Sequence, residues 1–147
     1  MAIDFLSSEH IMKPALIFLT PLLAFVLSAC TIASSPPIGQ WDLVAFGDVK
    51  SPTPVLPDME AHIFLSDEGH YNGSVGCNRF GGGYELARKN EIKPLIKWMS
   101  CNDTSNEEKE ILQILTAEAI KYSLEEDQLI LLSADETFAL IFKRYVP

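Results

Sequence analysis

Beyond residue 30, the histidines and cysteines that could gather for metal binding or nucleophilic chemistry are His62, His70, Cys77 and Cys101. A zinc site would need them in close pairs of the C-x₂₋₄-C or H-x₃₋₅-H kind. No two stand at that spacing and no HExxH occurs, so the reading is no metal and no cofactor. Cys77 acting with His70 would need a thiolate, an aligned base and an orienting third group. The adjacent carboxylates Asp67/Glu68, Glu107/Glu108 and Glu125/Glu126 each adjoin a turn or a helix start, where solvation and capping account for them. The glycine run lacks GxxxxGK and opens no helix, so it does not read as a phosphate cradle. No catalytic residue is assigned, and the expectation is a protein that is not an enzyme. Arg79 is the strongest binding candidate, because a long cation within a glycine-dense segment reaches an anionic ligand or a partner. Its structural alternative is to pair with a carboxylate or to cover the bend with its aliphatic stem. Asn78 and Tyr84 flank it and complete the candidate binding set. Phe80, Tyr84 and Trp98 read as core aromatics, and a barrel mouth lined by them would be a ligand site.

The leading segment fixes the compartment. Residues 15–26 read ALIFLTPLLAFV, the length of a signal-peptide apolar core and too short to span a bilayer. Lys13 supplies the preceding positive charge, and small residues at Ser28 and Ala29 precede Cys30. The LSAC run resembles the lipobox of bacterial lipoproteins. Residues 1–29 are therefore expected to be a signal peptide, with Cys30 the lipidated residue. Residues 1–11 hold Asp4 and Glu9 but no Lys or Arg, which points to Met12 as the start. Residues 30–37 read as a lipidated tether and 38–147 as one domain.

Removing Lys13, Asp4 and Glu9 leaves ten basic against eighteen acidic residues, a net charge of −8. An acidic surface excludes nucleic acid as a partner and disfavours adsorption to anionic headgroups. The lipid on Cys30 must then provide the membrane attachment. Thr31, rather than Asp, after Cys30 fits sorting to the outer membrane, facing the periplasm, in a Gram-negative cell. With Cys30 acylated, Cys77 and Cys101 remain. In an oxidising compartment they suggest a disulfide across about 25 residues, worth roughly 3 kcal/mol, with two buried free thiols as the alternative.

Short strands separated by turn signals must position these residues. Residues 40–46, 60–66, 70–75, 84–87, 91–98, 121–125, 128–133 and 137–145 read as extended. The proline-rich stretch 50–57 reads as an irregular loop and the glycines of 76–83 as a bulge or sharp bend. Ser105 followed by Glu108 forms a capping-box signature, and Ile111, Leu112, Ile114, Leu115 and Ala119 form an apolar stripe behind it. The expected fold is mainly β: an antiparallel barrel-like sheet of about seven or eight short strands with one packed helix.

The run GSVGCNRFGGGY at 73–84 resembles the signature of the META domain family, which includes HslJ-like heat-inducible lipoproteins. Trp41 in QWDL, Met99-Ser100-Cys101, the acidic-to-apolar helix at 107–115 and QLIL at 128–131 follow in the family's order. The resemblance covers roughly residues 38–145, nearly the whole of the expected mature chain. It implies an antiparallel barrel with one helix, and a link to envelope stress and antibiotic tolerance, novobiocin above all. It implies no reaction. Two other readings stand beside a contact-making envelope lipoprotein. One is a barrel that binds a small molecule; the other is an inhibitor that presents the loop Lys50–Asp58 to an envelope-directed hydrolase.

Overall fold

The computed structural model of the chain describes residues 35–87, 90–99 and 101–147, with backbone alone for Trp98 and Met99. The expected signal peptide, Cys30 and most of the tether lie outside the described residues. The strands are β1 (Gly39–Asp48), β2 (Thr53–Pro54), β3 (Ala61–Leu65), β4 (His70–Val75), β5 (Asn78–Ala87), β6 (Glu91–Met99), β7 (Ile120–Glu125), β8 (Gln128–Leu132) and β9 (Phe138–Arg144). The helix α1 (Asn106–Leu115) lies between β6 and β7.

Every pairing is antiparallel, and each strand from β3 to β9 pairs with the next. β1 pairs with β3 through Gly39–Asp42 and with β9 through Trp41–Asp48. That double pairing closes eight strands into a barrel, so no long edge is left between first and last strands. β2 is a two-residue addition to β1, with Ala45 opposite Pro54. Thus the stretch read as an irregular loop contains a short pairing of its own.

The inward face follows the period of two expected of strands. Trp41 and Leu43 on β1, Ile63 and Leu65 on β3, and Tyr71 and Val75 on β4 are buried. Leu129 and Leu131 on β8 face Phe142 and Leu140 on β9. A register shift at Val44 sets Leu43 opposite Phe142 and Phe46 opposite Leu140. The extra residue flips the alternation, so Phe46 rather than Ala45 joins the apolar side. There it meets Phe138 at a ring separation of 6.4 Å.

The glycine segment differs from its expected bend. Only Gly76, at φ +55°, lies in a turn, and β5 then runs unbroken from Asn78 while pairing with both β4 and β6. Gly73 on β4 serves close packing: a Cβ there would sit 2.7 Å from Phe80 Cζ and would also strike the His62 carbonyl.

The seam between β6 and β7 is short, with only Glu91–Lys121 and Ile92–Ile120 in register. The Tyr122 amide donates to the Asn90 carbonyl, so alternate residues 90, 92 and 94 turn their main-chain groups toward β7. The third is Pro94, which has no N–H to give, and the ladder stops there. β6 stays paired with β5 as far as Met99, and the chain then returns to the sheet through α1. Ile111, Leu112, Ile114 and Leu115 of the helix are buried in the same core as the strands. The Tyr71 hydroxyl donates to the Leu115 carbonyl at 3.3 Å, tying the helix end to β4. The capping box forms as expected: the Glu108 amide donates to Ser105 Oγ and the Ser105 amide to Glu108 Oε2. The helix ends sooner than its apolar stripe, with Thr116 as C-cap, and Ala119 lies beyond it.

Candidate functional site: the Gly-Cys-Asn turn and its surroundings

The turn between β4 and β5 carries Gly76 and Cys77, followed by Asn78 and Arg79 at the start of β5. Cys77 and Cys101 are joined by a disulfide with their Cα atoms 6.1 Å apart, within the normal range for the bond. Neither cysteine can therefore supply a thiolate. Asn78 is fully buried, and its Nδ2 donates to the Val75 carbonyl at 3.2 Å. Its Oδ1 accepts from the Cys101 amide at 3.2 Å. The Thr104 hydroxyl lies 3.1 Å from both Asn78 Oδ1 and the Cys101 carbonyl, sharing its single proton between them. A covalent bond and a set of buried hydrogen bonds thus join the same two segments. Thr104 immediately precedes the N-cap Ser105, so the clamp also fixes where α1 begins.

The three candidate binding residues separate. Asn78 is sealed inside the clamp. Tyr84 is 9% exposed, meets the Tyr71 ring edge-on at 6.5 Å and donates its hydroxyl to the Ser66 carbonyl at 2.6 Å. Burial, followed by the nearby Asp67 carboxylate and Tyr122, raises the Tyr84 pKa above the ordinary phenol value. Both side chains make internal bonds, so the binding reading narrows to Arg79. Its side chain is exposed and has no ion-pair partner among the described residues. Phe80 is a core aromatic, 5.4 Å from the Tyr71 ring.

His70 invites comparison with a catalytic triad, because Ser66 and Glu68 are both beside it. Ser66 Oγ lies 3.3 Å from His70 Nδ1, and Glu68 Oε2 lies 3.8 Å from the same nitrogen. A relay needs the hydroxyl and the acid on opposite ring nitrogens. Here they compete for one, on an exposed turn, and Ser66 Oγ already accepts the His70 amide. His62 sits elsewhere, 3.2 Å from Ser74 Oγ. Among the described residues no three His, Cys, Asp or Glu side chains are grouped to hold a metal ion.

The barrel interior is filled by Trp41, Tyr71, Phe142, Ile63, Leu65 and their neighbours. Among the described residues, three clefts border α1 or the strand connections. One of about 390 Å³ runs between α1 and the β8–β9 connection, and one of about 450 Å³ lies between the Cys101 segment and α1. A third, also of about 450 Å³, is lined by the acidic β7–β8 turn. The apolar stripe marks Ile114 as core-facing, and Phe138 falls in a segment read as extended. Neither pattern signals that these residues also border a cleft, since that depends on how α1 packs against the sheet.

A closed eight-stranded barrel, one capped helix and a disulfide clamp at a Gly-Cys-Asn turn define a small all-antiparallel module without an assembled catalytic centre among the described residues. The META domain family model matches residues 37–145, and the chain belongs to that family. No curated protein matches the chain. Solved structures share the fold. One is a DUF4847 family protein from Bacteroides vulgatus, with a TM-score of 0.56 and 14% identity, covering 73% of this chain and 92% of that one. Another is a protein from Burkholderia xenovorans, with a TM-score of 0.57 and 19% identity, covering 78% and 94%.

Proposed function

We propose that this chain is a non-enzymatic envelope lipoprotein, held by a lipid on Cys30, whose META domain acts through contacts with another envelope protein. The packed interior carries this reading. A barrel that carried a ligand inside would need an open mouth with converging polar groups. Here large apolar side chains fill that space, which leaves the outer surface for recognition. Exposed Arg79, on β5 beside the disulfide clamp, is a feature that such a partner would read. Outer-membrane placement is proposed from Thr31, and a role in envelope stress and novobiocin tolerance from the family resemblance.

Cys30→Ala tests the anchor. The variant is expected in the soluble periplasmic fraction without lipid label, while the unaltered chain sediments with membranes. Continued membrane fractionation of the variant would sink the anchor. In-cell crosslinking from Arg79 tests the contact reading, with one repeatedly captured envelope protein as the expected outcome.

One observation favours a narrower version, the inhibitor reading. The loop after β1 is exposed yet held in place. The Lys50 amide donates to Asp48 Oδ1, the Ser51 amide to the Asp48 carbonyl, and the Val55 amide to the Val44 carbonyl. Leu56 stands out from it at 64% exposure. Crosslinks to a hydrolase from this loop, rather than from Arg79, would select that version.

A further inference from the structure

The cleft between α1 and the β8–β9 connection has a composition that its place on a strongly acidic chain does not require. Its floor is apolar: Ile114 and Ala117 from the helix side and Phe138 from the start of β9. Glu110, three residues before Gln113 and four before Ile114 on one face of α1, forms its exposed rim with Gln113 and with Asp135 from the turn. The volume of about 390 Å³ lies within the range of small-ligand sites. No Lys or Arg lines it.

The two rim carboxylates differ in how they are held. Asp135 Oδ1 accepts from the Ser133 hydroxyl at 2.6 Å and from the Thr137 amide at 3.2 Å, which fixes the side chain in the turn. Those hydrogen bonds keep its carboxyl below the usual carboxylate range, so it is ionised at neutral pH. The Glu110 side chain has no hydrogen-bond or ion-pair partner among the described residues. One fixed and one unpaired negative charge therefore border an apolar floor. An anion would meet repulsion from both, whereas a cation would be attracted by both.

We propose that this cleft is a binding site for a small organic cation with an apolar body, of the aryl quaternary ammonium class. The aryl group would lie against Ile114, Ala117 and Phe138, and the cationic head between Glu110 and Asp135. Arg79 does not line this cleft, so this proposal and the contact reading stand or fall independently.

The test uses the full isotope-labelled chain and two probes of similar shape and opposite charge, benzyltrimethylammonium and phenylmethanesulfonate. Saturable nuclear magnetic resonance shifts confined to Ile114, Ala117, Phe138 and their neighbours are expected with the cation. The sulfonate should bind at least about tenfold more weakly, as expected for a site that discriminates by charge. Ala117→Phe fills the floor and should abolish the shifts. Glu110→Gln, on an exposed helix position that leaves the core untouched, should weaken the cation several-fold while leaving the spectrum folded. Equal binding of the two probes, shifts that scatter over the surface, no saturation up to tens of millimolar, or cation affinity unchanged in Glu110→Gln would overturn the proposal.

Discussion

Asn78 is the one polar residue sealed in the core of the described chain, and both polar atoms of its amide have partners. Removing such a group leaves its partners buried and unsatisfied, which costs more than the bonds themselves. Asn78→Ala should therefore lower the unfolding free energy by about 2 kcal/mol, read from urea denaturation of the oxidised protein. The same two segments are joined by Cys77–Cys101, so the two constraints are coupled rather than additive. Replacing both cysteines with serine should cost about 3 kcal/mol alone. Combined with Asn78→Ala, it should cost less than the sum, because a freed Cys101 segment no longer holds its amide against Asn78. Strict additivity would mean that the clamp is two independent devices. At this scale the sequence pointed to the right segment and left the roles open. Asn78, Phe80 and Tyr84 face inward and Arg79 outward, a period of two that the intervening glycines hide.

The helix was legible at one end. Ser105 and Glu108 are three residues apart before an apolar stripe, a pattern with a local physical cause, and the capping box is present. Ser105→Ala should destabilise the domain by about 1 kcal/mol, and Ser105→Asp should restore most of that, both read from thermal unfolding. The other end was not legible, because the apolar pattern runs on through Ala117 and Ala119 while Thr116 closes the helix by donating its hydroxyl to the Leu112 carbonyl. β2 was missed for a similar reason. Two residues including a proline have no periodicity, and pairing with Ala45 and Phe46 alone makes them a strand. In β5 the glycines suggested a bend, but ladders on both sides hold the chain extended, a tertiary effect that outweighs local preference.

For the molecule as a whole, closure depends on joining a sheet with a short β6–β7 seam to the one helix that follows β6. Tyr71 is central to that junction. It is fully buried, packs against Phe80 and Tyr84, and donates to the end of α1. Burial raises its pKa far above the ordinary phenol value of 10.0. The folded state therefore holds the Tyr71 proton where the unfolded chain would release it. Stability from this group is fully present below about pH 10 and is lost as the pH rises further, by up to about 1.4 kcal/mol per pH unit. Equilibrium denaturation across that alkaline range should show this slope, with Tyr71 ionising only as the barrel unfolds. Tyr71→Phe should lower the neutral-pH stability by about 1 kcal/mol through the lost bond to Leu115 and flatten the alkaline slope. If the slope persisted unchanged in Tyr71→Phe, another group would govern alkaline unfolding, and the helix-to-sheet bond would not be the proton-linked junction of this fold.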